Sequence, residues 1–212
     1  MKKLIFILGS VLLLQGSTLA QESGSALPAK NGNIEVAESI KPLRLGLKIG
    51  TPSAVILNAE YVTPLWNNRV AFAVDYLPIT VGLGDIDLKL KNFEIGSNIY
   101  FNQKGKGLYG GISYYSFNTE ARVIEVEFDD GTFGDGDATL KFNTVNVKLG
   151  VKLGKTFYSR FEIGYGFGSL PSEVITTKVD GSATVTDPIE DISVLSASGL
   201  PIFNLGFGFS FL

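Results

Sequence analysis

Nine titratable residues stand at alternate positions in otherwise apolar segments: Arg44, Lys48, Glu60, Asp75, Glu94, Lys148, Lys152, Arg160 and Glu162. A spacing of two puts side chains on one face of a strand. The remaining positions on those faces are mostly Gly, Asn and Ser. If the faces line a narrow interior, five cations and four anions are costly there unless they pair. A salt-bridge network that closes the lumen is therefore expected, with a gated or very narrow polar path as the alternative. No spacing among the nine singles out an acid–base pair or a Ser-Lys arrangement.

The chain has no His and no Cys. That removes Ser-His and Cys-His catalysis, imidazole and thiolate metal ligands, and any disulfide. No catalytic residue, cofactor or metal is expected. Asp129-Asp130-Gly131-Thr132-Phe133-Gly134-Asp135-Gly136-Asp137 resembles a calcium loop in composition. An EF-hand needs Glu at its twelfth position. Counting from Asp129 or Asp130 reaches Leu140 or Lys141 instead. The stretch reads as an acidic hairpin turn, with a weak divalent-ion site as the alternative.

The elements that must position these residues are strands. From Pro42 onward, eight segments of about ten residues alternate with a period of two. Leu43, Leu45, Leu47 and Ile49 oppose Arg44, Gly46, Lys48 and Gly50. Val145, Val147, Leu149, Val151 and Leu153 oppose Asn146, Lys148, Gly150 and Lys152. Phe203, Leu205, Phe207, Phe209 and Phe211 oppose Asn204, Gly206, Gly208 and Ser210. The fifth segment, Leu108 to Phe117, does not separate into two faces by composition. Short turns after segments 2, 4 and 6 alternate with longer links after 3, 5 and 7, although Thr51-Pro52-Ser53 is short. An even number of ten-residue strands with this asymmetry predicts an all-β, eight-stranded antiparallel up-and-down transmembrane barrel.

Composition agrees. Of 212 residues, 45% are apolar and 18% charged, with 25 Gly, 15 Phe and 8 Tyr. A face of Gly164-Gly166-Gly168 or Gly206-Gly208-Ser210 suits a narrow lumen better than water, because strand Gly costs stability. Tyr61, Tyr76, Phe93, Phe101, Phe157 and Phe167 fall near segment ends, where interfacial aromatic girdles sit. The net charge of −3 gives no footprint for nucleic acid.

Residues 1–20 read as a signal peptide. Met1-Lys2-Lys3 precedes an 11-residue apolar run, Leu4 to Leu14, and the segment ends Thr18-Leu19-Ala20. Removing it leaves 16 basic against 21 acidic groups. Residues 21–41 are polar without a sustained period and read as a flexible periplasmic tail. The barrel is expected over 42–212, with extended external loops near 119–138 and 169–199. Glu120 to Phe128, Ala138 to Phe142 and Val174 to Val185 keep strand-like composition. The last reads as a hairpin around Asp180-Gly181. Such hairpins either stiffen long loops or offer edges to a protein partner.

From Pro42 to Leu212 the pattern resembles the small eight-stranded outer-membrane β-barrel proteins of Gram-negative bacteria, similar in plan to the membrane domain of outer-membrane protein A. The strand Phe203, Leu205, Phe207, Phe209, Phe211 is similar to the terminal signal read by the barrel-assembly machinery. It departs from the usual form in ending Phe211-Leu212. The resemblance implies an outer-membrane location, contact with lipid and an assembly route. The overall expectation is a monomeric, non-enzymatic barrel with an envelope structural or surface-interaction role. The alternatives are a narrow channel for small or hydrophobic solutes and, third, a soluble periplasmic barrel holding an apolar ligand.

Overall fold

The computed structural model describes residues 40–83, 86–188 and 199–212. The signal peptide (1–20), nearly all of the expected tail (21–41) and part of the 169–199 link lie outside them. Ten strands follow in order: β1 (Leu43–Thr51), β2 (Ala54–Val62), β3 (Val70–Leu83), β4 (Ile86–Tyr100), β5 (Gly107–Glu127), β6 (Phe133–Gly154), β7 (Phe157–Phe167), β8 (Glu173–Lys178), β9 (Thr184–Pro188) and β10 (Gly199–Phe211). Every pairing is antiparallel.

Eight of these strands close a ring. Neighbours in sequence pair from β1 through to β7, β7 pairs with β10, and β10 returns to β1 with Leu43 opposite Phe211. Closure leaves no strand of the ring as an edge strand. The eight expected segments are its eight strands. β8 and β9 form an added hairpin whose β8 pairs with the far end of β6, Gly136 opposite Lys178.

The ring is not of even height. β1, β2 and β7 have 9 to 11 residues, whereas β5 and β6 have 21 and 22. β3 and β4 run past the expected segments to meet at Leu83 and Ile86. Residues 78–83 and 86–92 are therefore strand, not the long link that the segment boundaries implied. Most of 119–138, strand-like in composition, is paired strand. The alternation never stops there; it changes sense. On β4, Phe93, Ile95 and Ile99 face outward, while Leu88 and Leu90 face inward between exposed Asp87, Lys89 and Lys91. At the changeover, Leu90-Lys91-Asn92-Phe93, the period of two vanishes from composition although the backbone continues.

β5 shows the same changeover and settles the fifth segment's orientation. Leu108, Ile112 and Tyr114 point outward, and Tyr109, Ser113 and Tyr115 are buried. Past Tyr115 the inward side chains are Phe117, Thr119 and Ala121, and the outward ones Asn118, Glu120 and Arg122. Its two faces looked alike in the sequence because the lumen here holds tyrosines. Near the tip a bulge between Val123 and Val126 places Glu125 at φ 57° and returns Val126 to the interior.

The projecting part has its own core. Leu88, Ala121, Ala138 and Val174 pack together with Leu90 and Leu140 beside them. Val126, Phe128 and Val185 form a second group at the tip. Phe117 and Phe142 stack at 4.7 Å between centroids, just above the barrel interior.

Candidate functional site: the charged lumen and its mouth

All nine titratable residues singled out by spacing are buried. Six form one chain. Glu60 on β2 is its hub, accepting from Arg44 (Nη1, 2.5 Å), Arg160 (Nη2, 2.7 Å), Asn98 (Nδ2, 2.8 Å) and Tyr100 (Oη, 2.9 Å). Arg160 lies 3.6 Å from Glu162, whose other oxygen is 3.2 Å from Lys48. Lys48 in turn donates to Asp75 at 2.8 Å. Four strands of the ring contribute, β1, β2, β3 and β7, so the chain ties one wall to another across the interior.

Glu94 and Lys148 form a separate pair at 2.5 Å. Ser113 also donates to Glu94, and Asn146 does so at 3.3 Å. Lys152 stands apart. Among the described residues it has no ion-pair partner, and its ammonium sits 4.4 Å from the centroid of the Tyr158 ring. The nine divide into a chain of six, a pair, and one cation over an aromatic face. The cause is geometric: Lys152 lies at the short-turn end, where the ring of Tyr158 rather than a carboxylate faces it.

The uncharged half of this interior holds large side chains that the spacing of charges did not single out. Tyr100, Tyr109, Tyr115 and Tyr158 are among the largest fully buried side chains. Tyr109 donates to Glu162 at 2.6 Å, and Tyr115 meets Ser53 at 2.8 Å. The inward glycines make room for them. Gly150 is the cross-strand partner of Tyr109, and Gly208 that of Tyr158. A Cβ at either position would run into the tyrosine ring. A Tyr opposite a Gly on the same face was the signal available in the sequence.

The space left among Lys48, Asp75, Glu94, Asn98, Ser113 and Lys148 is about 10 Å³, roughly one water. Ser113, Glu94 and Lys148 thus lie together, but hydrogen-bonded to one another with no room for a substrate beside them. The arrangement suits structural pairing rather than nucleophilic attack.

Outside the ring the charges are exposed and local. In the Asp129–Asp137 stretch, Asp130 Oδ1 accepts from the N–H and hydroxyl of Thr132 at 2.9 and 2.7 Å, as a turn tie. Those bonds hold its carboxyl below the ordinary value. Asp180 and Ser182 repeat the arrangement in the β8–β9 turn, with the same effect. Asp137 faces outward and pairs with Arg122 at 2.9 and 3.2 Å, which lowers its pKa and raises that of the arginine. Of the assembly-signal residues, Phe203, Leu205, Phe207, Phe209 and Phe211 all point outward on β10.

No protein-family profile and no curated protein matches the chain. Among solved structures it is similar to CarO of Acinetobacter baumannii, with 13% identity and a TM-score of 0.44. That alignment covers 80% of this chain and 98% of the other. It is also similar to CarO2 of the same organism, with 16% identity and a TM-score of 0.43, covering 82% of this chain and all of the other. At this level of likeness neither one assigns a role here; the geometry above must carry the reading.

Proposed function

We propose that this chain is a monomeric, non-enzymatic outer-membrane β-barrel with an envelope structural or surface-interaction role, its lumen closed by the ion-pair chain. The observation that carries the reading is an outward belt without charge around a ring whose interior holds nine. Leu45, Leu47, Ile49, Leu57, Val74, Ile95, Ile112, Val147, Leu149, Ile163, Leu205 and Phe207 are all exposed. Water would penalise such a surface, whereas hydrocarbon is its natural solvent. Along β4 and the residue that follows it the belt runs from Phe93 to Phe101, about 27 Å along the chain at ~3.4 Å per residue. Tilted by about 40°, it stands roughly 21 Å tall, near the ~25 Å band of outer-membrane barrels.

Aromatic pairs mark the two rims. Tyr76 lies opposite Phe93 at one, and Phe157 packs on Phe209 at 5.3 Å at the other. This supports lipid contact all round the ring and argues against the soluble apolar-ligand barrel, which would turn its apolar face inward. Beyond one rim, β3 to β6 project with polar outer faces, as a surface-exposed part should. β9 ends that sheet with an unshared edge among the described strands, where a protein partner could add a strand. The outward aromatic face of β10 suits recognition by the assembly machinery.

The test is conductance in planar bilayers, using refolded protein whose heat-dependent gel shift shows a closed barrel. The expected result is no discrete current. Steps that change in Glu94→Gln or Arg160→Gln would replace the closed-lumen role with the narrow channel.

A further inference from the structure

At the end of the ring where the short turns lie, the interior opens into a cavity of about 220 Å³ lined by Lys41, Arg44, Lys104, Lys106, Lys152 and Lys155, with Thr156 and Ser210 between them. No carboxylate is among its lining residues that the structure describes. Two of the lining side chains are nearly fully buried and carry polar atoms without a partner: Arg44 at Nε and Ser210 at Oγ. These two residues are cross-strand partners on β1 and β10. Lys152, also buried, is the interior cation with no ion-pair partner among the described residues.

The lumen chain offsets its own charges: Glu60, Glu162 and Asp75 take up Arg44, Arg160 and Lys48, and Glu94 takes up Lys148. What remains is one buried ammonium at the mouth, together with two unused donors. A buried cation is costly unless an anion or strong acceptors reach it. Low-dielectric walls focus its field into the cavity.

We propose that this mouth is a binding site for a small oxyanion of the phosphate class, held by Lys152 and Ser210 with Arg44 beside them. The cavity exceeds the size of one phosphate group and would take a diphosphate or a phosphate ester. The reading does not depend on whether the lumen conducts. The same chemistry could come from a free anion or from the headgroup of an anionic lipid at the adjacent rim, where Leu43 and Phe211 pair.

The experiment uses the full mature chain refolded in a neutral detergent, titrated with inorganic pyrophosphate by calorimetry. Saturable binding is expected with one site per chain. Lys152→Gln should weaken it about tenfold, the loss of one charge-assisted contact. Ser210→Ala, which keeps every charge, should weaken it about threefold. Lys141→Gln, on the outer face of β6, should change nothing. The heat-dependent gel shift is read for each variant, and Ser210→Ala keeps the test intact if Lys152→Gln does not fold.

A second arm replaces pyrophosphate with phosphatidylglycerol in the micelle, read by phosphorus NMR line broadening. Pyrophosphate binding in neutral micelles supports the site with a free anion as its source. Broadening of the lipid signal alone, lost in Lys152→Gln, supports it with the headgroup as source. Absence of both, or equal binding by wild type and the Lys152 and Ser210 variants, would overturn the proposal.

Discussion

β6 is a single strand with two opposite surfaces. From Val145 to Leu153 its outward residues are apolar, and the inward ones are Asn146, Lys148, Gly150 and Lys152. From Asp135 to Asn143 the outward residues are polar, and Leu140, Ala138 and Phe142 turn inward. The pairing with β5 continues unbroken from Lys152 back to Gly136. No slip of register accompanies the exchange, although a one-residue slip is the usual way to swap faces. The surroundings change instead. Where hydrocarbon lies outside, polar groups must go in and satisfy one another; where water lies outside, the apolar groups go in. The same change on β4 after Lys91 and on β5 after Tyr114 draws the proposed water boundary across the sheet.

The largest test of this contrast strikes the lower part from within. Glu60 neutralises two arginines where no water can replace it. Glu60→Leu leaves Arg44 buried and unpaired and Arg160 with Glu162 alone at 3.6 Å, and about 3–5 kcal/mol of stability should be lost. Urea unfolding of the refolded barrel, followed by the gel shift, measures it. A loss below 1 kcal/mol would mean that the interior is wet and its ion pairs dispensable. The projecting part offers a contrast in Arg122 and Asp137, an exposed pair whose removal should cost little.

The next test compares two sites on one face of one strand. Val147 is outward near mid-belt, between Ile112 and Tyr165 on its neighbours. Thr139 is outward eight residues earlier, beside Glu120 and Ile175. In lipid, Val147→Arg should cost about 2–4 kcal/mol. Thr139→Arg should stay within about 0.5 kcal/mol. Equal costs would remove the boundary between them.

The boundary also governs how much could be read from the chain beforehand. Below it, alternation is strong because two very different solvents face the strand. All eight ring strands and all nine buried charges were legible in Arg44-x-Gly46-x-Lys48 and its counterparts. At the boundary, composition loses its period for three or four residues, so Ile86 to Asn92 passed for link and β5 read as two separate strand-like stretches. Inside, the partition of the charges was not legible. Which carboxylate meets which cation depends on the stagger between strands. Lys152 and Lys148 lie four residues apart on one face, yet one finds Glu94 and the other a tyrosine ring. Tyr109 and Tyr115 were hidden because type alone does not say whether a Tyr is a girdle or a lumen residue; Tyr114 and Tyr115 are one of each.

The smallest expected effect lies at the two turn tips of the projecting part. Asp130 and Asp180 each accept two hydrogen bonds from the Thr or Ser two residues on, and both carboxyls are held below the model-peptide value of 3.8. A carboxyl whose folded pKa is depressed adds stability that is full above its unfolded pKa and is lost as the pH falls through the folded one. The turns should therefore be intact at pH 5 and loosen only below pH 3.8. In an NMR titration the Thr132 and Ser182 amides should shift with midpoints under 3.8. The Tyr109 and Asn146 signals of the lumen should hold still over the same pH steps, because their neighbouring carboxylates are paired with cations out of reach of solvent. Lumen signals that move in step with the turn amides would mean that water reaches both regions alike, and the difference between the two halves of β6 would then lie in packing rather than in what surrounds them.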